Sequence, residues 1–105
     1  FYYMLEAGEL VNPRLTKLMK SMLAEPGIKH KFVKGLDGMP GVRIYRKSGT
    51  WQHWHADSAL VEAQGRKYIL VGLADDNRGG DWLAALAPEL HKLIVPTRLA
   101  AVRAR

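Results

Sequence analysis

Val42-Arg43-Ile44-Tyr45-Arg46-Lys47-Ser48-Gly49-Thr50-Trp51 reads as a β-strand that becomes polar in its second half. The two-residue period of a strand sends Val42, Ile44 and Arg46 to one face and Arg43, Tyr45 and Lys47 to the other. Lys47-Ser48-Gly49-Thr50 then places a cation, two hydroxyls and a residue without a side chain in four consecutive positions. An edge built this way can hold an anion and let another backbone approach. The same four residues also suit a solvated edge strand whose lysine blocks aggregation, and as a tetrapeptide they favour that plainer reading. Their surroundings decide between the two.

The chain has 105 residues, of which 48% are hydrophobic, enough for one domain or a piece of a larger one. It holds no apolar run of about eighteen residues, so no membrane span is predicted. Phe1-Tyr2-Tyr3-Met4-Leu5 enters in mid-pattern, which predicts that sequence lies upstream. The absence of cysteine removes disulfides, thiol catalysis and cysteine-based zinc sites. His53 and His55 would share a face on a strand, but no third ligand follows at a regular spacing. Exposed aromatic side chains are the expectation there, with no metal and no cofactor.

A net charge of +6 permits anionic partners. Among the basic residues, Lys29, Lys31 and Lys34 cluster before the strand, Arg43, Arg46 and Lys47 lie within it, and Arg98, Arg103 and Arg105 form a tail. No nucleic-acid signature accompanies them. The tail, residues 96–105, is read as solvated and poorly ordered, leaving residues 1–95 as the folded part.

Phe1 to Val11 looks like the end of a helix broken at Gly8. Asn12-Pro13 restarts one, with Asn as N-cap and Pro at the first helical position. Leu15, Leu18, Met19, Met22 and Leu23 make an apolar stripe, expected in the core, before Pro26-Gly27 stops the helix. Ile28 to Gly41 is a glycine-rich connector with room for a helical turn. After the opening strand, Gln52 to His55 reads as a wide aromatic connection flanked by Trp51 and Trp54. A second strand is expected at about Ala56–Glu62, a turn at Ala63–Arg66 and a third strand at Lys67–Ala74. The run Tyr68-Ile69-Leu70-Val71-Gly72-Leu73 is continuously apolar, as in a strand covered on both faces. Asp75 to Gly80 is a loop without the spaced ligands of a calcium site. Asp81 is expected to cap a last helix with Leu83, Leu86, Leu90, Leu93 and Ile94 as its stripe, Pro88 as a kink or restart and Pro96 as its end. The fold class is therefore α/β in the α+β sense, an antiparallel three-stranded sheet flanked by helices.

Arg46-Lys47-Ser48-Gly49-Thr50-Trp51, Asp57-Ser58-Ala59-Leu60-Val61-Glu62 and Tyr68-Ile69-Leu70-Val71-Gly72-Leu73, in that order, resemble the C-terminal portion of the class A β-lactamase and penicillin-binding serine hydrolase family. The likeness is greatest to its β-lactamase-related serine hydrolase branch and covers nearly the whole chain. It implies a β-lactamase/transpeptidase-like fold and acyl transfer through a serine acyl-enzyme. By resemblance, Lys47 supplies positive potential and the Ser48 and Thr50 hydroxyls bind a substrate carboxylate. Gly49 lets the substrate lie along the strand, the Thr50 backbone N–H is one oxyanion-hole donor, and Trp51 lines the rim with Trp54. The nucleophile of this family lies in Ser-x-x-Lys; Ser21, Ser48 and Ser58 are the only serines, and none has lysine three positions on. This stretch alone is thus expected to be inactive. An arginine that many class A enzymes place on the next strand is missing from the Ala56-Asp57 neighbourhood, leaving His53, His55 or Arg46 to compensate.

The resemblance further implies a β-lactam or acyl-D-Ala-like substrate, a periplasmic or secreted location, and an N-terminal part of the same protein as partner. Without such a partner, the third strand's edge should promote self-association, against which a monomer in sedimentation would count. Two other readings stand beside the enzyme: a non-catalytic module binding peptides or cell-wall fragments at the strand edge, and a small basic nucleic-acid-binding protein, the least favoured, which would show salt-sensitive binding to arbitrary DNA.

Overall fold

The computed structural model describes residues 1–24 and 28–96. Two helices, α1 (Tyr2–Glu6) and α2 (Pro13–Leu23), lead to a third, α3 (Lys31–Leu36). Three strands follow, β1 (Arg43–Trp51), β2 (Trp54–Ala63) and β3 (Arg66–Asp75), and α4 (Gly79–Ile94) closes the order. The strands form one antiparallel sheet in the order β1-β2-β3, as the sequence predicts. Gly8 adopts φ +73° and ends α1, and Asn12 caps α2 by accepting from the Leu15 N–H at 2.8 Å. Gln64 and Gly65, both with positive φ, make the tight β2–β3 turn.

The sheet has two unlike faces. Ile44 on β1, Ala59, Val61 and Ala63 on β2, and Tyr68 and Leu70 on β3 pack with Phe32, Leu36, Leu83 and Ala87 of α3 and α4. Two glycines make this layer possible. A Cβ at Gly35 would lie 2.0 Å from the Ala84 carbonyl oxygen, so α3 and α4 touch backbone to backbone. A Cβ at Gly72 would lie 2.5 Å from Leu83 and 2.9 Å from Phe32, which both sit directly on β3. On the opposite face, among the described residues, Tyr2, Tyr45 and Leu60 form a small buried cluster, with Leu23 and Ala24 at its margin.

Several expectations are corrected here. The apolar run of β3 alternates between buried Tyr68 and Leu70 and exposed Ile69, Val71 and Leu73, the last 82% exposed. Apolar composition shows that both faces tolerate burial; within the described residues only one is covered. No residue of α2 is buried, and Leu18 and Met22 of its stripe are exposed. That helix lies at the sheet margin, where Lys20 instead bonds Glu6 and stacks over Tyr45. Helix α4 begins two residues before Asp81, with Arg78 as N-cap, so Asp81 sits in its first turn without capping it. Leu86 and Leu93 are exposed, and Ala84, Ala87 and His91 are buried beside Leu83, the two alanines admitting α3 at Gly35. Pro88 lies inside a continuous helix. The connection after β1 is a two-residue turn at Gln52-His53, closed by the Trp51–Trp54 pair with Gln52 at φ +52°. The Pro26-Gly27 stop and the tail beyond Pro96 lie outside the described residues.

Within the core the Tyr68 hydroxyl and His91 Nδ1 pair, 2.6 Å apart. Burial pushes the Tyr68 hydroxyl up to about 12 and His91 below its ordinary value. The folded state thus resists protonating His91, while the unfolded chain takes up that proton near pH 6.5. Stability from this pair is present above that pH and lost as pH falls through the depressed folded value. At the alkaline end, Tyr68 contributes stability below about pH 10 that is lost as pH rises toward its folded value near 12. His30, also held low by burial and by Arg46, adds to the acid limb. His91→Phe is therefore expected to flatten the fall in Tm between pH 7 and pH 5; an unchanged pH slope would remove the pair from that account.

Candidate functional site

The hairpin fixes what the Lys-Ser-Gly-Thr strand presents. The pair closing a two-residue turn exchanges both ladder bonds, and bonded and non-bonded pairs alternate from there. With Trp51 opposite Trp54, the register runs Gly49–Ala56 and Lys47–Ser58 for bonded pairs, and Thr50–His55 and Ser48–Asp57 for the others. The backbone N–H groups of Ser48 and Thr50 therefore point away from β2, toward the free edge of β1. Among the described residues strand β1 has no other neighbour in the sheet.

Side chains divide between the faces. Lys47, Gly49 and Trp51 lie on the open face, and Ser48 and Thr50 on the face toward α3. Lys47 Nζ bonds the Ser48 carbonyl, which also points to the free edge. The carbonyl of Lys47 accepts from Ser58 Oγ at 3.0 Å, and the Tyr2 hydroxyl donates to the Ser58 carbonyl at 2.9 Å, which ties α1 to the strand pair. A Cβ at Gly49 would meet only Ala56 Cβ, 4.0 Å away, so the strand is approachable there. Trp51, 72% exposed, joins Trp54, Ala56 and Leu73 along a groove of about 520 Å³ beside Gly49 and Thr50. The five residues singled out in the sequence thus form a strand edge: the Ser48 and Thr50 amides outward, hydroxyls on one side, cation and indole on the other.

Behind that edge lie two arrangements that sequence reasoning missed. Arg46 and Asp57 form a buried ion pair at 3.0 Å. The guanidinium also donates to the Ile28 carbonyl at 3.0 Å and the His30 carbonyl at 3.2 Å, and lies 3.0 Å from His30 Nδ1. Asp57 accepts further from the Phe32 N–H at 3.1 Å and the Ser58 N–H at 3.0 Å. Arg46 is thereby committed to the interior, which corrects the expectation that it could replace the missing substrate-binding arginine. The second arrangement is Lys31, buried at the start of α3, whose Nζ reaches Thr50 Oγ1 at 2.8 Å. Burial pushes its ammonium below its ordinary value.

His53 and His55 do not act together. His53 sits in the turn and pairs with Asp75, whereas His55 is half-buried beneath Gly79 and Gly80 with Nδ1 unbonded among the described residues. Among those residues no cluster of three or more His, Cys, Asp or Glu gathers as a metal site, and no helix is long and apolar enough to cross a membrane.

The antiparallel three-stranded sheet thus carries α4 on one face and the Lys-Ser-Gly-Thr strand at one edge. The family model described as the β-lactamase enzyme family matches residues 1–94, and the chain belongs to that family. Among solved structures, a β-lactamase from Sphaerobacter thermophilus superposes with a TM-score of 0.74 at 14% identity, over 88% of this chain and 36% of that one. PBP-A superposes with a TM-score of 0.66 at 16% identity, over 86% of this chain and 37% of that one. A PBP-A mutant solved as an acyl-enzyme complex with penicillin G matches equally well. The chain thus spans little more than a third of the length of these structures. No curated protein matches it.

Proposed function

We propose that this chain forms the substrate-holding strand edge of a serine hydrolase that works by acyl transfer, completed by a nucleophilic serine outside these residues. The observation that carries the reading is the Lys-Ser-Gly-Thr edge of β1, with the Ser48 and Thr50 amides turned outward, in a member of the β-lactamase family. Serine attack on a carbonyl builds negative charge on its oxygen, and in this reading the Thr50 N–H is one of two donors that receive it. Lys47 adds positive potential along the edge. The Ser48 and Thr50 hydroxyls take the substrate carboxylate, as charge-assisted contacts do. Gly49 leaves room for the substrate backbone, and Trp51 and Trp54 wall the groove beside it. A β-lactam or an acyl-D-Ala-like peptide is the substrate class, and export from the cytoplasm goes with the family.

The exposed face of β3, with Ile69, Val71 and Leu73, and its free edge are the surfaces that the remainder of the enzyme would cover. A second reading, a non-catalytic module that binds extended peptides, is favoured by the open groove and the unpaired edge of β1.

Intact-protein mass spectrometry after exposure to a fluorescent penicillin separates the two. The 105-residue chain is expected to stay unmodified, while the full gene product containing it gains one covalent adduct. Absence of an adduct from both leaves the binding module. An adduct on the 105-residue chain would overturn the assignment of the nucleophile to another part of the protein.

A further inference from the structure

A buried ammonium stands behind the strand edge, bonded among the described residues only to neutral oxygens. Lys31 is 2% exposed. Its three N–H donors are matched by three oxygens: the Gly49 carbonyl at 2.8 Å, Thr50 Oγ1 at 2.8 Å and the Ala56 carbonyl at 3.1 Å. Among the described residues no acid pairs with it; the carboxylate nearest in kind, Asp57, is paired with Arg46. The residue also holds φ at +53°, a left-handed conformation that a side chain ordinarily disfavours. Three bonds to the strand pair hold it there.

We propose that Lys31 is a positioning residue for Thr50, and that it prepares the edge of β1 to take a ligand carboxylate. This rests on the reading of the strand under Proposed function. Because Lys31 donates to the Thr50 oxygen, the Thr50 hydroxyl must give its own proton to something else. A hydroxyl whose oxygen is bound to a cation is polarised into a better donor. All three ammonium protons are used, so Lys31 acts through Thr50 and Gly49 and does not touch the ligand. Its charge, offset in part by Asp57 and screened little in the interior, favours an anion on the outer side of the strand. Lys47, exposed on the opposite face, is a separate source of potential.

The test compares benzylpenicillin with its methyl ester as acylating agents of the full gene product, in Lys31→Met, Thr50→Val and the double variant. Lys31→Met is expected to lose about tenfold to a hundredfold more acylation rate with the free acid than with the ester. A merely structural lysine would lower both alike. The double variant should lose no more than Thr50→Val alone; additive losses, or equal losses for acid and ester, overturn the proposal. Should Lys31→Met fail to fold, Thr50→Val must by itself show the acid-selective loss. If the parent forms no adduct at all, the acyl-transfer reading fails separately, and the Thr50 amide NMR signal is titrated with N-acetyl-D-alanyl-D-alanine and with its C-terminal amide. A shift produced only by the acid and lost in Lys31→Met upholds the positioning role; no acid-specific shift overturns it.

Discussion

Replacing Asp57 with alanine is expected to cost this fold roughly 3–5 kcal/mol, the usual loss when one partner of a buried ion pair is removed. Asp57 and Arg46 are 2% and 6% exposed. Deleting the carboxylate strands the guanidinium in the interior and leaves the Phe32 amide without its acceptor. The damage should spread to α3, because the same network anchors the Ile28 and His30 carbonyls that lead into it. A domain this size holds only about 5–15 kcal/mol in total, so Tm should fall by roughly 15 °C or more. Arg46→Met combined with Asp57→Leu should recover part of the loss, since hydrophobic replacement of a buried pair leaves no charge unpaired. Urea and thermal melts check both variants. A single Asp57→Ala variant within about 1 kcal/mol of the parent would mean that water reaches the guanidinium, and that the pair is not the anchor described.

Why this network escaped the sequence is instructive. Alternation from Val42 to Lys47 gave the strand and its faces, and Lys47-Ser48-Gly49-Thr50 gave the candidate edge, because both signals are local. Asn12-Pro13 and Gln64-Gly65 were equally legible, each through its own backbone requirement. The Arg46–Asp57 pair depends on register, and register depends on the turn. Reading Gln52 to His55 as a wide connection hid the Trp51–Trp54 pair, which alone sets Ser48 opposite Asp57 and brings Arg46 diagonally to it. Lys31 carried no signal, since nothing local distinguishes it from Lys29 or Lys34; only the packing of α3 under the hairpin selects it. The exposure of Val71 and Leu73 was hidden for the converse reason. Their composition reports what the positions tolerate, while burial is decided by what lies against them.

Thr50→Pro is expected to lower acylation of the full gene product by about a hundredfold to a thousandfold, the cost of losing one oxyanion donor. The fold should remain. Proline removes the N–H outright, and in a sheet it is tolerated where that N–H faces away from the ladder. Thr50 meets this condition, because its pair with His55 is the non-bonded one next to the pair that closes the turn. Gly49 before it is extended and has no Cβ to meet the proline ring, which softens the usual restriction on that position. Thr50→Val separates the two groups that proline removes together: it keeps the N–H and deletes only the hydroxyl bonded to Lys31. With the methyl ester of a penicillin, Thr50→Val should react nearly as the parent does, while Thr50→Pro stays slow. Stopped-flow acylation rates, read beside melting curves, decide the matter. A Thr50→Pro variant that reacts within about tenfold of the parent takes this amide out of the chemistry. One that melts as early as Asp57→Ala places the N–H in the ladder with β2, and the outward edge of β1 would have to be reassigned.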